Sequence, residues 1–186
     1  MSKPLMVHVI TNFAGVGGAE MMLARLIQQT EHDYQHVIIA LMKTSEVYQS
    51  TLERCQSHYA LGWNGLNTLS TVSQLRALLK KLQPATVQCW MYHANALTSL
   101  SVIGLAKKPK VVWGIHHSLA SPKDESISTK IALGISKILS QQPSAIIYCA
   151  HSSMQQNQAF GFKNRNSQVI ANGVFLDKFQ PNPQLH

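Results

Sequence analysis

The stretch Met6 to Gln29, MVHVITNFAGVGGAEMMLARLIQQ, decides how this chain is read. Met6 to Thr11 is a short apolar run of strand length, and from Ala19 the residues Met22, Leu23, Leu26 and Ile27 recur at helical spacing. Between them lies Gly15-Val16-Gly17-Gly18, a strand-to-helix turn rich in the residue that tolerates positive φ and close backbone approach. Such a turn presents free N–H groups and the positive end of a helix dipole to the adjacent crevice, so it favours an anion such as phosphate. This is the pattern of the ligand corner of an open α/β sheet.

Outward from that corner the alternation continues. His36 to Met42 reads as a second strand, Glu46 to Cys55 as a short helix, and Ser57 to Leu61 as a third strand closed by the turn Gly62 to Gly65. A helix opening at Thr68 or Ser70 carries Leu69, Val72, Leu75, Leu79 and Leu82 as one apolar stripe and stops at Pro84. Thr86 to Met91 is a strand, Ala94 to Ala106 a nearly all-apolar helix, and Lys110 to Ile115 another strand. Ile127, Ile131, Ile135, Ile138 and Leu139 mark a long amphipathic helix ending before Pro143. Ala145 to Cys149, Ser152 to Phe160 and Gln168 to Ala171 complete the series as strand, helix and strand. Alternating strands and helices predict an α/β fold: a Rossmann-like, open, mostly parallel sheet with helices on both faces.

The totals narrow the function classes. With 186 residues and 45% hydrophobic composition the chain buries a full core as one domain. Sixteen Lys and Arg against 8 Asp and Glu give a net charge of +8, which favours anionic partners. The basic residues are scattered, with Lys80-Lys81 and Lys107, Lys108 and Lys110 as small clusters, and little aromatic interleaving accompanies them. Nucleic acid is therefore not expected as a partner. Cys55, Cys89 and Cys149 are odd in number and lack CxxC spacing, which predicts free thiols and a cytoplasmic setting. The opening Met-Ser-Lys-Pro leads into an apolar run too short for a signal peptide. Between Gln83 and Lys107 no charged residue occurs, but Gln88, His93, Asn95, Thr98, Ser99 and Ser101 argue for a buried strand and helix rather than a membrane span.

Ligands of parallel sheets bind beyond the carboxyl ends of the strands. Those ends carry Gly15 to Gly18, Trp90 to Asn95, His116-His117-Ser118, Ala150-His151-Ser152 and Asn172-Gly173. The glycine turn is not a dinucleotide fingerprint, because Glu20 stands where the third Gly belongs and Lys43-Thr44 where an acidic residue belongs. It also lacks the Lys-Ser/Thr pair of a phosphate loop. His116 and His117 are adjacent on extended backbone, so at most one of the two is expected to face the ligand while the other packs or caps. No third metal ligand lies at a recognisable spacing, and no metal site is expected. His93 fits a packed histidine and a ligand contact equally well. Asp124-Glu125 is a pair only in sequence and receives no acid/base role.

Four of these stretches occur together in a known order. The glycine turn with Ala19-Glu20, the segment Trp90 to Asn95, the strand VVWGIHHS and the closing VIANGVFLDKFQP resemble the amino-terminal half of retaining GT-B glycosyltransferases of family 4, also called group 1, over Met6 to Pro181. The resemblance implies a metal-independent enzyme without cofactor that moves a sugar from a nucleotide-sugar to a glycan or lipid-linked acceptor, in bacterial surface polysaccharide biosynthesis. It implies Gly17 and Gly18 near the donor phosphates, His116 as the catalytic histidine against the donor sugar, and His93 and His117 as cleft lining. Asn172-Gly173 would mark the crossing to a carboxyl-terminal donor-binding domain. By this reading residues 1–175 are the acceptor-side domain, and 176–186 begin an interdomain linker or an appended tail. The basic charge makes Lys107, Lys108 and Lys110 candidates for a peripheral contact with the inner face of the membrane, with an ordinary solvated surface as the favoured reading of them. Without the second domain, residues 1–186 alone are expected to be inactive. The family has Pro where Ala171 stands, an acidic residue where Phe175 stands and often Ser where Ala150 stands. The alternative is a non-catalytic Rossmann-like module that binds a nucleotide or glycan.

Overall fold

The computed structural model describes residues 3–119 and 121–173. Seven strands form one sheet: β1 (Leu5–Ile10), β2 (Gln35–Ala40), β3 (Ser57–Ala60), β4 (Thr86–Trp90), β5 (Lys110–Ile115), β6 (Ala145–Tyr148) and β7 (Ser167–Val169). Their order is β3-β2-β1-β4-β5-β6-β7, and every neighbouring pair is parallel. The chain builds outward from β1 to β3, then crosses back to β4 on the other side of β1. That reversal makes β1 and β4 the switch point, where their carboxyl ends part and leave a crevice.

The helices are α1 (Gly18–Thr30), α2 (Gln49–Leu52), α3 (Thr68–Leu82), α4 (Met91–Val102), α5 (Ile127–Leu139) and α6 (His151–Phe160), with a 3₁₀ turn at Glu46–Tyr48. Strand residues alternate between two cores. Val7, Val9, Val37 and Ile39 pack with Leu75, Leu79, Leu97 and Leu133, while Ile10, Ile38 and Ala40 pack with Leu23 and Ile27. Helices thus cover both faces, as the alternation of elements predicts.

Four expectations need correcting. None of Gly15, Gly17 and Gly18 adopts positive φ; the left-handed glycines are Gly62, Gly65, Gly104 and Gly161. What the first turn uses is the missing side chain. Helix α4 starts at Met91 rather than Ala94 and ends at Val102 rather than Ala106. Leu69, placed in the apolar stripe of α3, is 88% exposed, and burial on that helix falls on Thr71, Leu75 and Leu79. On α5 the buried residues are Ala132, Leu133 and Ser136, whereas Ile127, Ile131 and Ile138 face outward. Small residues let α5 lie close on α4, so of the expected stripe only Ile135 and Leu139 pack partly against the core, and Ile127, Ile131 and Ile138 are left on the far side. The expected linker at 176–186 lies outside the described residues.

Candidate active site

At the switch point a cleft of ≈ 420 Å³ opens between the segments that follow β1, β4 and β5. Gly18 and Glu20 form one wall, Trp90, Met91 and His93 another, and His116 and His117 the third. The first wall is the start of α1. Gly17 caps it in an extended conformation, φ −133 and ψ 168, without a side-chain cap, so the first-turn amides keep their donors for something else. A Cβ on Gly17 would run into the Glu20 carboxylate, whereas a Cβ on Gly18 meets nothing within 4 Å and would project into the cleft. Glu20 lies in the first turn, so the helix terminus already has an acidic neighbour. Tyr48 braces the turn from below: its hydroxyl donates to the Gly15 carbonyl at 3.0 Å, and its ring stacks on Phe13.

The floor of the cleft is polar and incompletely paired. Thr11 Oγ1, Asn12 Oδ1 and His93 Nε2 are buried and have no hydrogen-bond partner among the described residues. Thr11, Asn12 and His93 all line the cleft. Unpaired buried polar atoms are costly, and three at one crevice mark a place where a polar ligand supplies the partners.

His116 is held from three sides. Its ring stacks on Trp90 with centroids 5.0 Å apart and 15° between planes, and Nδ1 lies 3.1 Å from Asn172 Oδ1. With that oxygen as acceptor the proton sits on Nδ1, which leaves Nε2 as the acceptor. Burial lowers the His116 pKa, and the hydrogen bond with Asn172 opposes the shift, so the ring is neutral near pH 7. Gly114 provides the third constraint. A Cβ there would sit 3.2 Å from the Cys89 carbonyl oxygen and 3.3 Å from His116 Nε2. The backbone cannot yield, so the imidazole must. Gly114→Ala is expected to cost about 1–3 kcal/mol by overpacking and to shift the His116 imidazole resonances in a proton–nitrogen correlation spectrum. Unchanged resonances would show that the ring does not rest on Gly114.

Behind Trp90 runs a directed hydrogen-bond chain. Trp90 Nε1–H donates to His8 Nδ1 at 3.4 Å, and His8 Nε2 lies 3.0 Å from His36 Nδ1. His36 Nε2 lies 3.2 Å from Thr30 Oγ1, which donates to the Leu26 carbonyl at 2.6 Å. Trp90 can only donate and the carbonyl can only accept, so both histidines are neutral, each with its proton on Nε2. Burial pushes His8 down to about 3, helped by the neighbouring His36. Burial also lowers His36, against the opposing influences of Thr30 and Glu31.

The remaining expected residues fall as follows. His117 lines the cleft together with His116, against the expectation that at most one of the two would face it, and its Nε2 pairs with Glu125 Oε1 at 2.8 Å. Asp124-Glu125 is thus more than a pair in sequence, since Glu125 orients a cleft histidine. His93 tilts against Trp63 at 5.1 Å; burial lowers its pKa while the Ser128 backbone opposes the shift. The Gly173 carbonyl accepts from Arg25 on α1 at 2.7 Å, which ties the end of the described chain to the first wall of the cleft. Gly17 sits at the helix cap behind the lining. The sequence reading missed the roles of Trp90, Gly114 and Met91. Met91 is non-glycine at φ 74, a strained conformation at the mouth of β4. Burial pushes the Cys55 and Cys89 thiols up to about 12, so neither is poised as a nucleophile. Lys107, Lys108 and Lys110 lie at the amino end of the sheet, beside the start of β5, opposite the cleft.

The profile of glycosyltransferase family 4 matches residues 16–178. The chain belongs to that family. No curated protein matches it in sequence. Among solved structures, HepE of Anabaena in complex with UDP superposes with a TM-score of 0.72 at 15% identity, covering 96% of this chain and 46% of that one. The lipopolysaccharide outer core galactosyltransferase WaaB superposes at 0.69 and 15% identity, covering 91% and 46%. Sucrose-phosphate synthase of Thermosynechococcus elongatus superposes at 0.70 and 11% identity, covering 97% and 51%. These likenesses show the fold, a Rossmann-like unit of GT-B type, and the family 4 chain spans about half the length of the structures it matches.

Proposed function

We propose that this family 4 domain is the acceptor-side half of a retaining glycosyltransferase that moves a sugar from a nucleotide-sugar to a glycan or lipid-linked acceptor. The observation that carries the reading is the switch-point cleft itself, where uncapped α1 amides, a neutral stacked His116 and three unpaired buried polar atoms converge. HepE has been crystallised with UDP and with UDP-glucose, which supports a nucleotide-sugar as donor here.

The chemistry fits these groups. As the bond from the anomeric carbon to the diphosphate breaks, negative charge grows on the leaving oxygen, and the amides at the start of α1 stabilise it. His116 Nε2 accepts from a hydroxyl of the donor sugar and fixes its orientation. The acceptor oxygen bonds to the anomeric carbon on the same face, and its proton passes to the leaving phosphate. No protein nucleophile or metal takes part in this scheme. A second, carboxyl-terminal half supplies the remaining donor contacts, and surface polysaccharide synthesis at the inner face of a bacterial membrane is the setting.

The test is nucleoside diphosphate release in a polypeptide carrying both halves of the fold. His116→Ala is expected to lower kcat by about 100- to 1,000-fold, the cost of one preorganised polar contact. Gly18→Val, whose Cβ meets nothing within 4 Å, should abolish turnover by filling cleft space while leaving unfolding cooperative. Residues 1–186 alone should release none. Wild-type rates in both variants would overturn the assignment.

A further inference from the structure

A second concavity adjoins the cleft. It measures ≈ 390 Å³, within the range of about 300–1,000 Å³ for small-molecule sites. Its lining is almost wholly apolar: Trp63 from the turn after β3, Ala96 and Leu97 from α4, and Ile127, Ile131 and Ile135 from α5. The wall of this groove is the amino-terminal part of the α5 isoleucine stripe, where Ile127 and Ile131 face outward and Ile135 packs partly against the core. Ile127 is 78% and Ile131 59% exposed. On the opposite lip Leu66 and Leu69, beside the lining residues Gly65 and Thr68, are 98% and 88% exposed. Contiguous apolar surface of this kind marks an interaction site rather than ordinary surface.

His93 decides what occupies it. This residue lines both concavities, so the groove ends where the cleft begins, and its buried Nε2 has no partner among the described residues. A molecule that fills both spaces is apolar along the α5 wall and polar past His93. A partner protein helix would need only the groove, and a flat bilayer would need only its convex lips. Lys107, Lys108 and Lys110 offer the opposite end of the sheet, from which a lipid head could not enter the cleft.

We propose that the groove seats the hydrocarbon chain of a lipid-linked acceptor, whose polar head lies in the cleft beside His93. The inference rests on the transferase reading for the role of that head. It narrows the acceptor from any glycan to an amphiphile, with Trp63, Ile127 and Ile131 holding the tail. The exposed leucines and isoleucines at the mouth ease the passage of the tail out of a lipid phase.

The test uses residues 1–186 and the intrinsic fluorescence of Trp63, with decyl phosphate below its micelle concentration as the probe. Saturable binding is expected, and Trp63→Phe identifies the reporter. Ile131→Asp, at an exposed position that the fold does not bury, should weaken binding at least tenfold with the unfolding transition unchanged. Inorganic phosphate at the same concentrations should give no response. No saturable binding, equal affinity in wild type and Ile131→Asp, or a response to anionic phospholipid vesicles without one to monomeric decyl phosphate would each overturn the proposal. Because the readout needs neither donor nor transfer, absence of turnover in the two-half enzyme would strike the transferase reading alone. Loss of decyl phosphate binding with transfer to soluble glycans intact would strike the groove alone.

Discussion

The domain should lose stability steeply as pH falls below 6.5. The reason is the buried pair His8 and His36. In the folded chain His8 has its pKa pushed down to about 3, and in the unfolded chain it returns to 6.5. Between those values the unfolded state binds a proton that the folded state refuses, so stability is present above pH 6.5 and declines on acidification. His8 alone is expected to remove on the order of 2 kcal/mol between pH 6.5 and 4.5. His36, lowered in the same direction, adds to the loss. Urea unfolding at pH 7.5, 5.5 and 4.5 measures the slope. His8→Gln keeps a polar group that cannot titrate. It should be less stable at pH 7.5, by about 1–3 kcal/mol for imperfect pairing, yet flatter in pH. Equal stability of the wild type at pH 7.5 and 4.5 would refute the account.

That pair also shows where sequence reading stops. The inner strands of this fold were legible because β1, β2, β5 and β6 are apolar runs rich in β-branched residues, whereas the order that makes β1 and β4 the switch point came from the structure. The crevice residues were legible because they sit at strand ends. His8, however, reads as one polar residue in the apolar run MVHVI, and His36 as the first residue of another strand. Only the parallel register, which sets Met6 against His36 and His8 against Ile38, brings the two rings within bonding distance across the sheet. Trp90 was placed at the crevice by its position at a strand end, but its two partners were not. Its indole N–H and its flat face have separate partners, from β1 and from the loop after β5, and no local pattern encodes that. The isoleucines of α5 illustrate the opposite failure. Their spacing is helical and apolar, which correctly identifies the helix, but periodicity alone does not say which face the neighbour takes. Ala132 and Ser136 permit the closer approach to α4, so packing selects the small face.

Trp90 is the residue through which the buried pair and the candidate site meet, and two substitutions there should separate its two roles. Trp90→Ala removes a fully buried ring from the second core and is expected to cost about 3–5 kcal/mol. It also removes the surface on which His116 stacks, so water reaches the imidazole. Burial is the leading cause of the lowered His116 pKa, and the titration should therefore move up toward 6.5 in this variant. Trp90→Phe keeps an aromatic face but no N–H donor. His8 Nδ1 is then left buried without its partner, at a cost of about 1–3 kcal/mol, while His116 should keep its low pKa. Nitrogen-resolved NMR titration of the histidines, paired with urea unfolding, reads both effects on the same sample. A His116 titration that is unmoved in Trp90→Ala would mean that the stack does not shield it. If Trp90→Phe raises it as far as Trp90→Ala does, the donor to His8 rather than the ring face sets the site, and the geometry of His116 is controlled from behind the sheet.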